Sequence, residues 1–202
     1  MGVIPLMVNL RGKKVVVVGG GQIAERRVNR LVEGDADVEV ISPDVTSDLQ
    51  ALNRNKQIRW FQKWFSPEDT ADAFLVVAAS DDTTVNQAVV QTAPQNCLIN
   101  SVQEAEEGNV QFPTQFKRGR LSISVSTNGA SPTLASTIKE NLGHQYDERY
   151  EEYVDFLYDA RQLIKQSSLS PNERKDLLKR LVAEDFFDRE KQQHMLAYIQ
   201  SQ

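Results

Sequence analysis

Lys13-Lys14-Val15-Val16-Val17-Val18-Gly19-Gly20-Gly21-Gln22-Ile23-Ala24 sets a glycine-rich turn between four valines and the start of a helical pattern. A short apolar run bounded by glycine reads as a strand buried on both faces. Beyond it Ile23, Ala24, Arg27, Val28 and Leu31 recur at helical spacing, which predicts a helix over 22–33. Between strand and helix, G-x-G-x-x-A has a mechanical meaning. Gly19 lets the chain leave the strand in a tight turn, Gly21 lets the main chain approach a pyrophosphate with no Cβ in the way, and Ala24 packs the helix close to the strand. The phosphates would sit at the helix N-terminus, where unpaired N–H groups and the dipole favour an anion. Three adjacent glycines carry an entropic cost that a plain connection would avoid. A dinucleotide site is therefore expected, with Gly19, Gly21, Gln22 and Ile23 against the cofactor.

After the polar turn 34–37, residues 38–41 read as a second strand, and a strand-helix-strand connection demands a parallel, right-handed pair. Ser42-Pro43-Asp44 breaks the pattern. A short helix over 45–52 and a strand over 58–61 follow, with Trp60 and Trp64 as bulky packing residues. Strands over 74–79 and 97–100 flank a helix over 83–92. The alternation predicts an α/β fold, a Rossmann-like parallel sheet over residues 1–113. Past Pro113 the character changes. Leu121-Ser122-Ile123-Ser124-Val125-Ser126 alternates apolar and hydroxyl residues, as a strand with one buried face does. Ser131-Pro132 opens a helix through Leu134, Ile138 and Leu142, with Gly143 as its stop. Residues 146–202 read as a small C-terminal helical domain, in which Ser170 and Glu173 have capping-box spacing.

The composition, 40% hydrophobic and 25% charged over 202 residues, fits a soluble globular protein. No run is long enough to span a bilayer, and Met1 to Leu10 lacks the pattern of a secretory signal, so no membrane and a cytoplasmic location are expected. A net charge of −5 gives no global attraction to nucleic acid, and an acidic ligand would need a local basic patch. Lys117-Arg118-Gly119-Arg120 is the candidate, although it reads equally as a solvated basic turn. The single cysteine, Cys97, lies in an apolar segment and reads as a buried thiol. His144 and His194 have no metal-ligand spacing, so no metal site is expected. Hydrolase and kinase readings have no anchor, since neither a G-x-S-x-G elbow nor a phosphate loop with lysine occurs.

An acidic residue near the end of strand two often receives ribose hydroxyls. Here Ser42 or Asp44, or main chain around Pro43, must serve, while Ser42 and Asp44 also read as caps of the next helix. No arginine follows strand two, which favours NAD over NADP. In Ala78-Ala79-Ser80-Asp81-Asp82, Ser80 is placed to contact the cofactor, and Asn100 ends strand five at the same crevice.

Val-Val-Gly-Gly-Gly-Gln-Ile-Ala-Glu-Arg-Arg at 17–27, Ala-Ala-Ser-Asp-Asp at 78–82 with Val85-Asn86, and Ser-Thr-Asn-Gly-Ala-Ser-Pro at 126–132 together resemble the siroheme synthase N-terminal family, the precorrin-2 dehydrogenases. Pro5-Leu6 and the strand-like Val8-Asn9-Leu10 match its start, so the resemblance covers roughly residues 1–145 and suits a stand-alone member. It implies oxidation of precorrin-2, an acidic tetrapyrrole, to sirohydrochlorin, with hydride passing to NAD+. It also implies a homodimer that interlocks through a dimerisation and substrate segment at 114–145. Lys117, Arg118 and Arg120 become candidates for binding substrate carboxylates, and Ser124 and Thr127 for hydrogen bonds to the macrocycle, besides their roles in strand polarity and turn formation. The chain departs from the family where relatives usually carry an aspartate, at Gln103, which cannot act as a base. Glu104 is the neighbouring carboxylate, catalytic only if the chain turns there and otherwise a solvated loop acid. With glutamine at this position, iron insertion is expected from a separate chelatase. A bifunctional dehydrogenase and ferrochelatase, and a non-enzymatic regulator that binds NAD or tetrapyrrole, stand as alternatives.

Overall fold

The four valines lie in β1 (Lys14–Val18), at the centre of a sheet that covers them on both sides. The computed structural model describes residues 2–202, in two compact units that meet in sequence at Phe112 and Pro113. In the first unit β1 is followed by α1 (Gln22–Glu33), β2 (Asp37–Ile41), α2 (Ser47–Arg54), β3 (Arg59–Phe61), a 3-10 turn (Pro67–Thr70), β4 (Leu75–Ala78), α3 (Thr83–Thr92) and β5 (Leu98–Ser101). All five strands are parallel, in the order β3-β2-β1-β4-β5. Val15 and Val17 pack with Ala24, Val28 and Leu31 of α1, whereas Val16 and Val18 pack with Val89 of α3. Burial on both faces explains an unbroken valine run where a one-sided strand would alternate. Each buried valine contributes roughly 1.5–3 kcal/mol.

Local chemistry sets the helix ends. Asp82 caps α3 by accepting the Thr84 and Val85 N–H groups. Thr46 caps α2 by accepting the Leu49 N–H, so that helix begins at Ser47 and Val45 packs on the core. Neither Ser42 nor Asp44 takes the capping role that the sequence allowed them. Trp60 is half-buried and donates its indole N–H to Ser42 O at 2.9 Å. Trp64 is a correction: it is 77% exposed, beyond the end of β3 and outside the core. Val8-Asn9-Leu10 also differs from its strand-like reading. Both edges of β1, the strand it precedes, are taken by β2 and β4, so no ladder is open to it there.

Cys97 is 3% exposed, and burial pushes its thiol pKa up. An aromatic disulfide reagent at pH 8 is expected to leave it unmodified in the native protein and to label it fully in denaturant; rapid native labelling would contradict this packing.

The second unit starts with an antiparallel hairpin, β6 (Thr114–Arg118) and β7 (Leu121–Val125), followed by α4 (Pro132–Gln145), α5 (Arg149–Gln166), α6 (Pro171–Arg180), a 3-10 turn (Glu184–Phe187) and α7 (Arg189–Gln200). Lys117 and Arg118 therefore lie in a strand, and only Gly119 and Arg120 make the turn, with Gly119 at φ +49. Gly143 does not stop α4. Its Cβ position lies 3.7 Å from the Phe116 ring, an ordinary contact distance, and the helix runs on until Tyr146 donates its N–H to Leu142 O. Tyr153 and Phe156 of α5 form the tail's core with Leu181, Phe186 and Ile199, and the Tyr153 hydroxyl donates to Leu181 O. The Ser170–Glu173 capping box closes in both directions. Among the described residues no helix is long and apolar enough to cross a membrane.

Candidate functional site

The connections from β1 and β4 leave their carboxyl ends in opposite directions, toward β2 on one side and β5 on the other, and this divergence opens a crevice in a parallel sheet. Two loops meet there. Gly19 (φ +121) lies so close to the β4 loop that a Cβ would collide with Ala79 O and stand 2.8 Å from Ser80 N. Gly20 lies against the β2 loop, where a Cβ would collide with Asp44 O and stand 2.8 Å from Ser42 Oγ. Thr46 N–H donates to Gly20 O at 3.0 Å, fastening this second approach. The sequence pattern treated Gly20 as a variable position. Its requirement comes from a loop more than twenty residues downstream, and only the unbroken glycine triplet hinted at it.

Gly21 differs from its neighbours. It is exposed, its φ of −80 suits any residue, and no atom of the described residues lies within 4 Å of its Cβ position. It begins α1 with no side-chain cap, and Glu25 N–H closes the first turn on Gly21 O. The N–H groups of Gln22 and Ile23 point out of the helix end, as the geometry of any helix start requires. Ala24 is fully buried, while Ile23 is 49% exposed, an apolar side chain left outside the core beside this end.

The other expected cofactor residues stand at strand ends around the crevice. Ser42 is buried and donates its hydroxyl to Asp44 O at 2.7 Å, while the Asp44 side chain is exposed next to half-buried Pro43. Ser80 follows β4, and its hydroxyl accepts the Asp82 N–H at 3.1 Å. Asn100, in β5 beside Val77, is 4% exposed; its amide donates to Val110 O at 3.0 Å, and its Oδ1 has no partner among the described residues. An unpaired buried oxygen costs about 1–3 kcal/mol, so a donor from a bound ligand or a water would be stabilising here. An uncapped helix start, a glycine with open space before it and an amide oxygen lacking a donor together fit a nicotinamide dinucleotide.

The proton-transfer candidate sits where the chain bends. Residues 102–107 turn away from β5, Glu104 N–H donates to Ser101 Oγ at 3.4 Å, and the Glu104 side chain is exposed. The chain thus turns around Glu104, with bends at 102–103 and a turn at 105–107. Gln103 is engaged within the first unit: its Oε1 accepts from Asn86 Nδ2 at 3.0 Å. Asn86 is a site residue for which sequence reasoning had no role.

In the second unit the hydroxyls of Ser124 and Thr127 differ. Ser124 is exposed on β7, whereas Thr127 donates to Ser131 O and accepts the Ser131 N–H, closing the turn before α4. The three hairpin cations do not share one face. Lys117 is exposed, Arg118 stacks on the Phe116 ring at 5.4 Å, and Arg120 is bonded to Asp155 while its guanidinium lies 3.9 Å above the Tyr158 ring. Arg120→Ala is expected to cost the second unit about 1 kcal/mol, read by thermal unfolding, because an exposed ion pair and a surface cation–π contact are each worth little. A loss several times larger would contradict the exposed placement of this pair.

Three family models match in chain order: an NAD(P)-binding model over residues 6–114, a sirohaem biosynthesis protein central model over 118–145, and a SirC C-terminal domain model over 150–195. Precorrin-2 dehydrogenase of Priestia megaterium is 38% identical over 181 residues, 90% of each chain. Precorrin-2 dehydrogenase of Bacillus subtilis (strain 168) is 38% identical over 158 residues, 78% of this chain and 98% of that one. A solved structure described as SirC, precorrin-2 dehydrogenase, aligns with a TM-score of 0.87 at 35% identity, covering 99% of this chain and 100% of the other. A dinucleotide crevice and relatives that align across nearly their whole lengths lead to one conclusion: the chain belongs to the precorrin-2 dehydrogenase family.

Proposed function

We propose that this chain oxidises precorrin-2 to sirohydrochlorin with NAD+, as a cytoplasmic homodimer, and leaves metal insertion to a separate chelatase. The observation that carries the reading is the uncapped, glycine-lined start of α1 at the sheet's crevice, in a chain of this family. When bound, the nicotinamide supplies a two-electron acceptor for hydride. The protein's own residues bind, orient and move the accompanying proton. Gly21 with the N–H groups of Gln22 and Ile23 holds the pyrophosphate, where the helix dipole assists. Asp44 accepts the ribose hydroxyls; the absence of a cation in Ser42-Pro43-Asp44 supports NAD over NADP, because a 2′-phosphate would meet a carboxylate. Asn100 Oδ1 takes an amide donor, and Ser80 lines the same wall.

Glu104 is the proposed base, an exposed carboxylate on the bend after β5 that receives the proton lost as the macrocycle gains conjugation. Ser124 hydrogen-bonds the macrocycle, and Lys117 and Arg118 meet its carboxylates. Arg120 and Thr127 serve the hairpin and the turn that present them. Segment 114–145 provides the dimer contact. Its two-stranded sheet would be marginal alone, which supports completion by a second copy.

The test is anaerobic incubation with precorrin-2 and either NAD+ or NADP+, followed by reduced-nucleotide absorbance. NAD+ is expected to give a kcat/KM roughly tenfold or more above NADP+. Equal values would remove the NAD assignment. Sirohydrochlorin with ferrous ion is expected to react at its uncatalysed rate, and acceleration by the protein would favour the bifunctional alternative.

A further inference from the structure

We propose that Gln103 is a positioning residue: through the buried amide of Asn86 it holds the Ser80 peptide against the Gly19 turn and so sets one wall of the cofactor crevice. The inference deepens the dehydrogenase reading and rests on it for the cofactor's identity. Asn86 lies in α3 and is 2% exposed. Its Oδ1 accepts the Ser80 N–H at 2.9 Å, and its Nδ2 donates to Ser80 O, also at 2.9 Å. One side chain thus grips both main-chain polar groups of one residue, Ser80, as a neighbouring strand would. The second proton of Nδ2 goes to Gln103 Oε1 at 3.0 Å, and Gln103 Nε2 faces Ser80 O at 3.5 Å.

Every hydrogen on the Asn86 amide is used, and Gln103 makes the flipped orientation unfavourable, since a flip would set two amide oxygens against each other. The gripped residue is the one whose nitrogen stands 2.8 Å from the Cβ position of Gly19. Any release of Ser80 therefore moves a wall of the turn that leads into α1. Val102 N–H donates to Ala78 O at 3.1 Å, so the bend that carries Gln103 is itself tied to the end of β4. Gln103 acts toward Asn86 through an acceptor oxygen, and its amide does not titrate at any working pH.

The test is fluorescence titration with NADH of the full chain and four variants. Gln103→Leu removes the acceptor and is expected to raise the NADH Kd roughly tenfold, the scale of one lost hydrogen bond in a preorganised site. Gln103→Glu keeps an acceptor toward Asn86 and is expected to stay within about threefold of the parent. Asn86→Asp keeps the acceptor for the Ser80 N–H but loses both donated bonds, and should weaken NADH at least as much as Gln103→Leu. The double variant Asn86→Asp with Gln103→Leu should be no weaker than Asn86→Asp alone, because the two residues act in one chain of contacts. A Gln103→Leu Kd within twofold of the parent, equal damage from Gln103→Glu and Gln103→Leu, or additive effects in the double variant would each overturn the proposal. A parent that binds NADH with these ratios but leaves precorrin-2 unchanged would overturn the substrate reading alone. No NADH binding by the parent would overturn both.

Discussion

Gly20→Ala is expected to destabilise the first unit by roughly 3 kcal/mol, the scale of overpacking where the neighbours are main chain and cannot yield. The new methyl would collide with Asp44 O and lie 2.8 Å from both Ser42 Oγ and Val45 Cγ1. Relieving the clash means parting the β1 and β2 loops, which also breaks the Thr46 N–H to Gly20 O bond at the start of α2. Thermal unfolding checks this, with an expected fall in Tm of about 10 °C or more. A variant as stable as the parent would show that these loops are not closely packed.

Gly21→Asp should do the reverse, separating stability from binding. The backbone at this position, φ −80 and ψ −175, accepts an aspartate, and open space lies in front of it. Aspartate caps a helix slightly better than glycine does, so stability should hold or rise by a few tenths of a kcal/mol, with Tm unchanged or slightly higher. The same carboxylate would occupy the seat of the pyrophosphate and repel it, raising the NADH Kd by about a hundredfold or more. A variant that is stable and still binds NADH tightly would mean that the phosphates do not use the start of α1.

The two glycines show what a sequence discloses and what it hides. The spans of α1 and α3 could be read directly because their determinants are local: glycines before Gln22, a capping aspartate before Thr83, and apolar positions at helical spacing between. The positive-φ turn at Gly19 was legible in the same way, from the order of strand, turn and helix, although its contact with Ala79 was not. Gly20 was not, because its constraint is Asp44 O, brought alongside by the parallel pairing of β1 and β2.

The strand β6 was hidden for a different reason. Thr114-Gln115-Phe116-Lys117-Arg118 has one apolar side chain, and that residue lies beside Gly143 and Tyr146, at the end of a helix that local rules would have ended at Gly143. Gln103 invited a reading by subtraction, as a carboxylate missing from its place. In the structure its amide has a positive use, but the partner is Asn86, seventeen positions away along the chain and adjacent only once β4 and β5 have paired. Glu104 was conditional on a bend that no residue pattern announced, and the bend is present.

These points converge on one claim, that the crevice at the ends of β1 and β4 holds a nicotinamide dinucleotide for the oxidation of precorrin-2. The most direct measurement is a multiple-turnover reaction of the pure protein with precorrin-2 and excess NAD+, following sirohydrochlorin and NADH together by their separate absorbances. One NADH for each sirohydrochlorin, over many turnovers and lost in Gly21→Asp, is the predicted result; no NADH, or product formation indifferent to that substitution, would contradict the account.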